Sequence, residues 1–377
     1  MKVAFIITGL NTGGAEMMLF KLLQHNDTFQ SGMLINLSSN GEMQRKFKSL
    51  GIRIINVGMK RGRFSLFLFF KLINILRKER PDLVATWLYH SDLLGGLAAW
   101  FLHIPVCWNI RSSGTTFKTI GKATTMVMKI CALLSAYIPE KIVCNSRQGA
   151  NDHIEFGYES EKMEVIPNGF DIKSFSPQIK NKNFLHKQLA LPNEALLVGM
   201  AGRFDPIKNH KGFIEAAKIV VEKIPHTHFI LFGSGIDEKN RLLTSWIDAA
   251  KIRKNVHLLG LRQDVPQIMS ALKVSVCASL GEAFPNVVGE AMACGVPSVV
   301  TDVGDVVDLI GNAGIAVPPG DIPSLARGII TLLEMSTSDL TKMGRAARAR
   351  IVDNYKIEII ANRFETVYEQ CLTTGIL

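Results

Sequence analysis

Short apolar runs rich in β-branched residues alternate with helix-period segments along this chain, and no other feature constrains its fold so tightly. The strand-like runs fall at 2–8, 31–37, 52–57, 83–87, 105–110, 141–145 and 163–166, and again at 196–201, 227–232, 255–259, 273–277 and 297–301. Parallel strands need a crossover, usually a helix, so the alternation predicts βαβ units and parallel sheets. The pattern restarts near Leu196, after a polar, strandless stretch, "PQIKNKNFLHKQLALPNE" (177–194), that reads as a linker. A chain of 377 residues also exceeds one ordinary core. The expectation is two doubly wound, Rossmann-like α/β domains, 1–180 and 190–355, each taking ligands outside the carboxyl ends of its strands. The segment 356–377 carries one more helical pattern, about 356–372, with no strand after it.

Hydrophobic residues make up 47% of the chain and charged residues 20%, which suits a folded soluble protein. The opening "MKVAFIITGLNTGGAE" passes into Gly and Asn after six apolar residues, so it reads as a first strand and not as a signal peptide. The most apolar run, "FSLFLFFKLINIL" (64–76), carries Lys71 and falls short of the ~18–20 residues of a spanning helix. Its pattern is that of a helix packed on a sheet. Six cysteines (107, 131, 144, 277, 294, 371) form no C-x-x-C pair, and reduced thiols in a cytoplasmic protein are expected. The charge is one-sided. Residues 1–180 hold 22 Lys and Arg against 13 Asp and Glu, net +9, whereas 181–377 are nearly balanced at 21 against 20. Such a field suits an anionic partner. No nucleic-acid motif is present, and aromatics do not interleave with the basic residues, so nucleic acid is not expected.

Three stretches suit one anion. In "TGLNTGGAE" (8–16), Gly13 and Gly14 would let backbone approach a ligand just before a helix start. In "GMAGRFDPIKNHKGF" (199–213), Arg203 and Lys208 follow a strand's carboxyl end, where two cations neutralise a diphosphate without metal. In "GEAFPNVVGEAMACGVP" (281–297), Glu282 falls in a loop and Glu290 inside a helix begun by Pro285. The backbone of Phe284, Pro285, Asn286 and Val287 would meet the phosphates, and the two carboxylates would accept hydrogen bonds from hydroxyls on either side. A sugar nucleotide has that layout of hydroxyls, diphosphate and ribose. For each stretch alone a bland reading stands beside this one: a packing glycine turn, two solvated loop charges, a capping or ion-paired glutamate.

Taken together, "GLNTGGAE", "GRFDPIKNHKGFIEAA" and "EAFPNVVGE" followed by "AMACGVPSVVTDVGD" resemble the retaining glycosyltransferases of family 4, over nearly the whole chain. The resemblance implies the GT-B architecture, two Rossmann-like domains facing across a cleft, with the last helix crossing back to the N-terminal one. It implies transfer of a hexose or N-acetylhexosamine from a nucleoside-diphosphate donor, expected to be UDP, to a glycan or polyprenyl-linked acceptor in surface polysaccharide or glycoconjugate synthesis. It places Glu282 on the donor sugar, Glu290 on the ribose, and the Arg203–Lys208 pair on the diphosphate. Many members carry a histidine after the strand equivalent to 105–110; here "CWNIRSSG" puts Arg111 there, and His90 in "TWLYHSDLLGG" is the nearest histidine. Both are candidate catalytic residues. The base is expected near Leu261 in "LLGLRQDV", a stretch that does not separate uracil from guanine. No D-x-D stretch occurs, so neither a metal nor another cofactor is expected.

Three rival readings remain. Paired carboxylates also serve retaining glycosidases, although a hydrolase has no diphosphate to hold. A sugar-nucleotide epimerase shares the two-domain build. A non-catalytic anion or lipid binder would not need Arg203, Lys208, Glu282 and Glu290 together. Finally, "KRGRFSLFLFFKLINILRKER" (60–80) holds seven basic residues and one acid. Lys60, Arg61 and Arg63 before it, and Arg77, Lys78 and Arg80 at its end, suggest peripheral adhesion to the inner membrane face. Lys118, Lys122 and Lys129 would extend the same face.

Overall fold

The computed structural model describes residues 1–29, 32–59, 66–117, 121–178 and 183–374. The chain divides into two compact units, Met1–Gly169 together with the chain from Ile357 on, and Phe170–Lys356. Lys60, Arg61, Arg63 and Lys118 lie outside the described residues.

The first unit is a seven-stranded parallel sheet of order β3-β2-β1-β4-β5-β6-β7. Its strands are β1 (Val3–Ile7), β2 (Met33–Asn36), β3 (Arg53–Asn56), β4 (Leu83–Trp87), β5 (Val106–Ile110), β6 (Lys141–Cys144) and β7 (Met163–Val165). Central strands are apolar on both faces because both faces are covered. Every residue of β1 and β4 is buried. One face packs Ala4, Ile6, Val84 and Trp108 under the helices Leu66–Glu79, Tyr89–Phe101 and Lys122–Leu134. The other packs Phe5, Ile7, Ala85 and Trp87 against Gly14–Gln24 and the final helix, Ile357–Thr374. That last helix places Ile357, Ile360, Phe364 and Tyr368 in the core, with Phe364 stacked on Trp87 at 6.0 Å. The strandless tail is therefore core material of the first unit.

The second unit is a six-stranded parallel sheet of order β10-β9-β8-β11-β12-β13. Its strands are β8 (Leu196–Ala201), β9 (Thr227–Phe232), β10 (Val256–Leu258), β11 (Val274–Cys277), β12 (Ser298–Thr301) and β13 (Gly314–Val317). The last was not foreseen: "GIAV" is four residues between a glycine turn and Pro318, too short to carry a period. The division falls at Gly169/Phe170, ahead of the 177–194 stretch read as the linker and of the expected boundary at 180. Phe170 explains the shift. Its ring is fully buried, stacks on Phe284 at 6.3 Å and packs over Gly289, while its N–H donates to the Tyr355 carbonyl at 2.9 Å. The polar stretch instead contributes the short helix Phe184–Gln188 to the same unit.

Candidate active site

In each sheet the strand order reverses once, between β1 and β4 and between β8 and β11. Loops leaving adjacent strands in opposite directions open a crevice at that point. In the second unit the two loops are Gly202–Lys208 and Ala278–Pro285, and they hold Arg203, Lys208, Glu282, Phe284 and Pro285 of the residues that the sequence singled out.

Lys208 and Glu282 form an ion pair across these loops, with side chains only 20% and 14% exposed. Ser279 donates its hydroxyl to the same Glu282 oxygen at 2.7 Å. Burial works against the Lys208 ammonium, yet the Glu282 carboxylate outweighs it and holds the lysine pKa above its ordinary value. The cation is thus fixed as a cation. Arg203 is different. Its Nε and Nη2 lie 2.9 Å from one Asp205 oxygen, and its side chain is 66% exposed. Asp205 also accepts from the Ile207 N–H at 3.0 Å, which starts the turn Pro206–Lys208. Partial burial raises the Asp205 pKa, but the Ile207 N–H and Arg203 outweigh it and leave it below the usual range. So the two cations stand on one loop, each facing a carboxylate, one sheltered and one in solvent.

The loops are laced to their neighbours by backbone. Leu280 N–H donates to the Ile207 carbonyl at 2.7 Å, joining the lysine loop to the glutamate loop. Phe204 N–H donates to Ser234 at 2.8 Å, and Gly233 N–H to Gly260 at 2.8 Å. Gly304, at φ +58°, packs so closely on the Glu282 and Ala283 carbonyls that any Cβ would clash. Thr301 donates to the Ser279 carbonyl at 2.5 Å. Ser279, Asp205, Gly304 and Thr301 were not foreseen as site residues. Gly304 and Thr301 act on a loop about twenty residues earlier in the chain, which no local pattern announces. Asp205 and Ser279 stand two and three residues from the side chains they hold, inside the quoted stretches, and were passed over for the charges beside them.

The helix Asn286–Ala293 begins with Pro285 as its N-cap. This corrects one expectation: Pro285 has no N–H, so Phe284, Asn286 and Val287 are the donors of that stretch. Phe284 is buried among Phe170, Val288 and Met292. Glu290 is half-buried inside the helix, one turn before Cys294. Leu261 follows Gly260 (φ +65°) in the loop after β10 and is 75% exposed. A cavity of about 560 Å³ lies at the opposite, amino ends of this sheet, beside Leu196, Lys273 and Pro297, and none of the candidate site residues lines it.

The remaining candidates belong to the first unit. Gly13 is the extended N-cap of Gly14–Gln24, and the Glu16 carboxyl folds back to where a Cβ would stand. Burial raises the Glu16 pKa, opposed by its own backbone N–H. His90 is half-buried, its pKa lowered by burial, on a turn where Leu88 takes φ +75°. A leucine there is strained. Arg111 lies with its guanidinium 4.5 Å from the Trp87 ring and 5.2 Å from Phe364. Its Nη1 donates to Asn168 at 3.4 Å, while Nε and Nη2 are buried with no hydrogen-bond partner among the described residues. Burial lowers its pKa to about 10, so it stays charged at neutral pH.

The two turns that carry His90 and Arg111 are tied by their neighbours. Tyr89 meets both Ser112 and His153, the latter at 2.8 Å. His153 Nδ1 lies 2.6 Å from the Gly149 carbonyl, which only accepts. That nitrogen therefore carries the proton, Nε2 accepts from Tyr89, and Tyr89 accepts from Ser112. Burial lowers the His153 pKa to about 4 and keeps the ring neutral.

Two family models match the chain, Glycosyltransferase Family 4 over residues 37–174 and Glycosyl transferases group 1 over residues 195–335. The chain belongs to the family 4 glycosyltransferases. This glycosyltransferase is 28% identical over 319 residues, 83% of its own length and 81% of the other's, to the UDP-Gal:alpha-D-GlcNAc-diphosphoundecaprenol alpha-1,3-galactosyltransferase of Escherichia coli. It is 26% identical over 345 residues to the N,N'-diacetylbacillosaminyl-diphospho-undecaprenol alpha-1,3-N-acetylgalactosaminyltransferase of Campylobacter jejuni, covering 88% of this chain and 89% of that one. The crystal structure of Anabaena Alr3699/HepE in complex with UDP superposes with a TM-score of 0.87 at 22% identity, covering 98% of this chain and all of that one. The same protein in complex with UDP-glucose gives 0.85. The fold is GT-B, and the enzyme is a hexosyl-type transferase of polysaccharide or lipid-linked glycan synthesis. The hydrolase, epimerase and non-catalytic readings give way to it. No described helix is long and apolar enough to cross a membrane.

Proposed function

We propose that this glycosyltransferase moves a sugar from a UDP-sugar to a polyprenyl-diphosphate-linked glycan, with retention at the anomeric carbon and without an obligatory metal, at the cytoplasmic membrane face. The observation that carries the reading is the sheltered Lys208–Glu282–Ser279 cluster at the switch point of the second sheet. The UDP and UDP-glucose complexes of a structural neighbour and the diphospho-undecaprenol acceptors in two relatives' names support the donor and acceptor classes.

In this reading negative charge grows on the departing diphosphate as the sugar becomes oxocarbenium-like. Lys208 and Arg203 meet that charge, together with the amides at the start of Asn286–Ala293. Glu282 takes a sugar hydroxyl while its other contacts hold it in place, and Glu290 takes the ribose. His90 and Arg111 act in transfer from the first unit, after the donor is bound. The test is a thermal-shift screen of nucleoside diphosphates and their sugars with and without chelator. A ligand at 100 times its Kd adds about 2.7 kcal/mol. UDP and one UDP-sugar should stabilise the protein equally well in chelator. Stabilisation by GDP alone, or only with added divalent metal, would overturn the donor and metal assignments.

A further inference from the structure

Three neighbouring helices cover one face of the first sheet, Leu66–Glu79, Tyr89–Phe101 and Lys122–Leu134. The middle one sinks onto the strands because Gly95 and Gly96 leave room for Ile6, Thr86 and Trp108, and most of it is buried. Its neighbours bury one stripe each, and their outer stripes are not polar. Phe67 is 74% exposed, Phe70 60%, Met126 60%, Leu133 77% and, just beyond the third helix, Tyr137 75%. Trp100, at the end of the middle helix, is 55% exposed. Single exposed apolar residues are ordinary, but these follow helical spacing along the two helices that flank the middle one. The run 66–76, read from its pattern as a helix packed on a sheet, is therefore only half packed.

Charge says what covers this face. The two flanking helices contain one acid between them, Glu79, which is mostly buried and paired with Arg53 and Lys2 away from these stripes. Exposed Arg77 and Lys78 continue the stripe of Phe67 and Phe70, and exposed Lys122 and Lys129 lie at helical spacing among Met126, Leu133 and Tyr137. A two-fold pairing of this face with a second copy would set these cations against each other with no acid to answer them. A bilayer surface supplies both missing parts, an apolar boundary for the rings and phosphates for the ammonium groups.

We propose that this face docks on an anionic lipid surface, with Phe67, Phe70, Trp100, Met126, Leu133 and Tyr137 entering the boundary between headgroups and acyl chains. The inference rests on the reading that the acceptor is lipid-linked, and it names the surface that brings enzyme and acceptor together. It also shifts the emphasis from adhesion by charge alone, because the apolar side chains anchor what the cations attract.

The experiment is flotation of the full chain with vesicles of phosphatidylglycerol mixed into phosphatidylcholine, and with phosphatidylcholine alone. The chain should float with the anionic vesicles, and brominated lipid should quench the fluorescence of Trp100, since Trp87 and Trp108 are fully buried and Trp246, partly buried, belongs to the second unit and is changed to Phe in the protein used for this readout. Trp100→Phe should remove that quenching. The triple change Met126→Ser, Leu133→Ser, Tyr137→Ser should lower partition about tenfold or more with an unchanged melting temperature. Lys122→Gln with Lys129→Gln should weaken binding at low salt and make little difference at high salt. Transfer to a short-chain, water-soluble acceptor should be the same for wild type and triple variant, which separates docking from the transferase reading. A chain that stays in solution with anionic vesicles, or a triple variant that floats like wild type, overturns the proposal. So does a dimer that the triple variant dissociates, which would give the face to a second copy.

Discussion

Changing Lys208 to Met removes the cation from the sheltered pair, while the Ser279 hydroxyl still donates to Glu282. Removing one partner of a fully buried pair typically costs about 3–5 kcal/mol. Side chains 20% and 14% exposed keep some solvation, so about 2 kcal/mol is the expected loss. For a unit of this size that lowers its melting midpoint by roughly 4–8 °C. Glu282→Gln in the same chain removes the stranded charge and should restore most of that stability, since a glutamine oxygen still accepts from Ser279. Activity should not follow. If Lys208 meets charge on the departing diphosphate, both the single and the double variant should lose about 10²–10³ in turnover. The assay is scanning fluorimetry beside acceptor-dependent UDP release, for the wild type, both single variants and the double variant, read as a double-mutant cycle. A double variant that regains turnover along with stability would show that the pair is only a strut and that the diphosphate is held elsewhere.

Gly289→Ala would drive a methyl group into the Phe170 ring; overpacking costs about 1–3 kcal/mol, and an unchanged melting midpoint of the second unit would show that the ring has room to move. Burial raises the Asp92 pKa to about 7 from 3.8, opposed by its bond from Thr86, so the ionised form is penalised in the fold and the penalty is complete above about pH 7. Asp92→Asn should therefore stabilise the first unit by up to ~4 kcal/mol at pH 8, with the gain vanishing below pH 4; destabilisation at pH 8 would mean that the ionised carboxylate is wanted. Acid should also weaken the second unit first. Burial lowers His210 and His257 to about 4 from 6.5, so the unfolded chain binds more protons in that window and stability falls as pH drops from about 6.5 to 4. In the first unit the same loss at His153 is opposed by Asp92, whose raised pKa stabilises the fold on acidification. Hydrogen exchange at pH 7 and pH 5 should show the larger loss of protection in Phe170–Lys356, and equal losses would refute the bookkeeping of protons.

Much of the architecture could be read in advance because parallel strands covered on both faces advertise themselves as continuous apolar runs; twelve of the thirteen strands among the described residues fall within the predicted segments. β13 escaped because four residues carry no period. The unit boundary was misplaced because polarity and lack of strands mark a surface stretch, not a break in packing, and Phe170 commits the chain to the second core before that stretch begins. At the site, motif spacing brought Lys208 and Glu282 into view, but not that they would face each other, nor that Arg203 would turn to Asp205. Side-chain partners 74 residues apart are set by the sheet order, which a linear pattern does not contain. Arg111 shows the same limit. Its place after β5 was legible, whereas its stacking on Trp87 and Phe364 depends on a helix more than 240 residues later.

Retaining transfer from a UDP-sugar to a lipid-linked acceptor, as proposed, is written in the anomeric configuration of the product. The enzyme would be given a panel of UDP-sugars and a short-chain polyprenyl-diphosphate glycan, and the new linkage read by proton–carbon coupling at its anomeric position. UDP should be released only when the acceptor is present, and the product should keep the anomeric configuration of the donor. An inverted linkage, or free sugar released without acceptor, would contradict it.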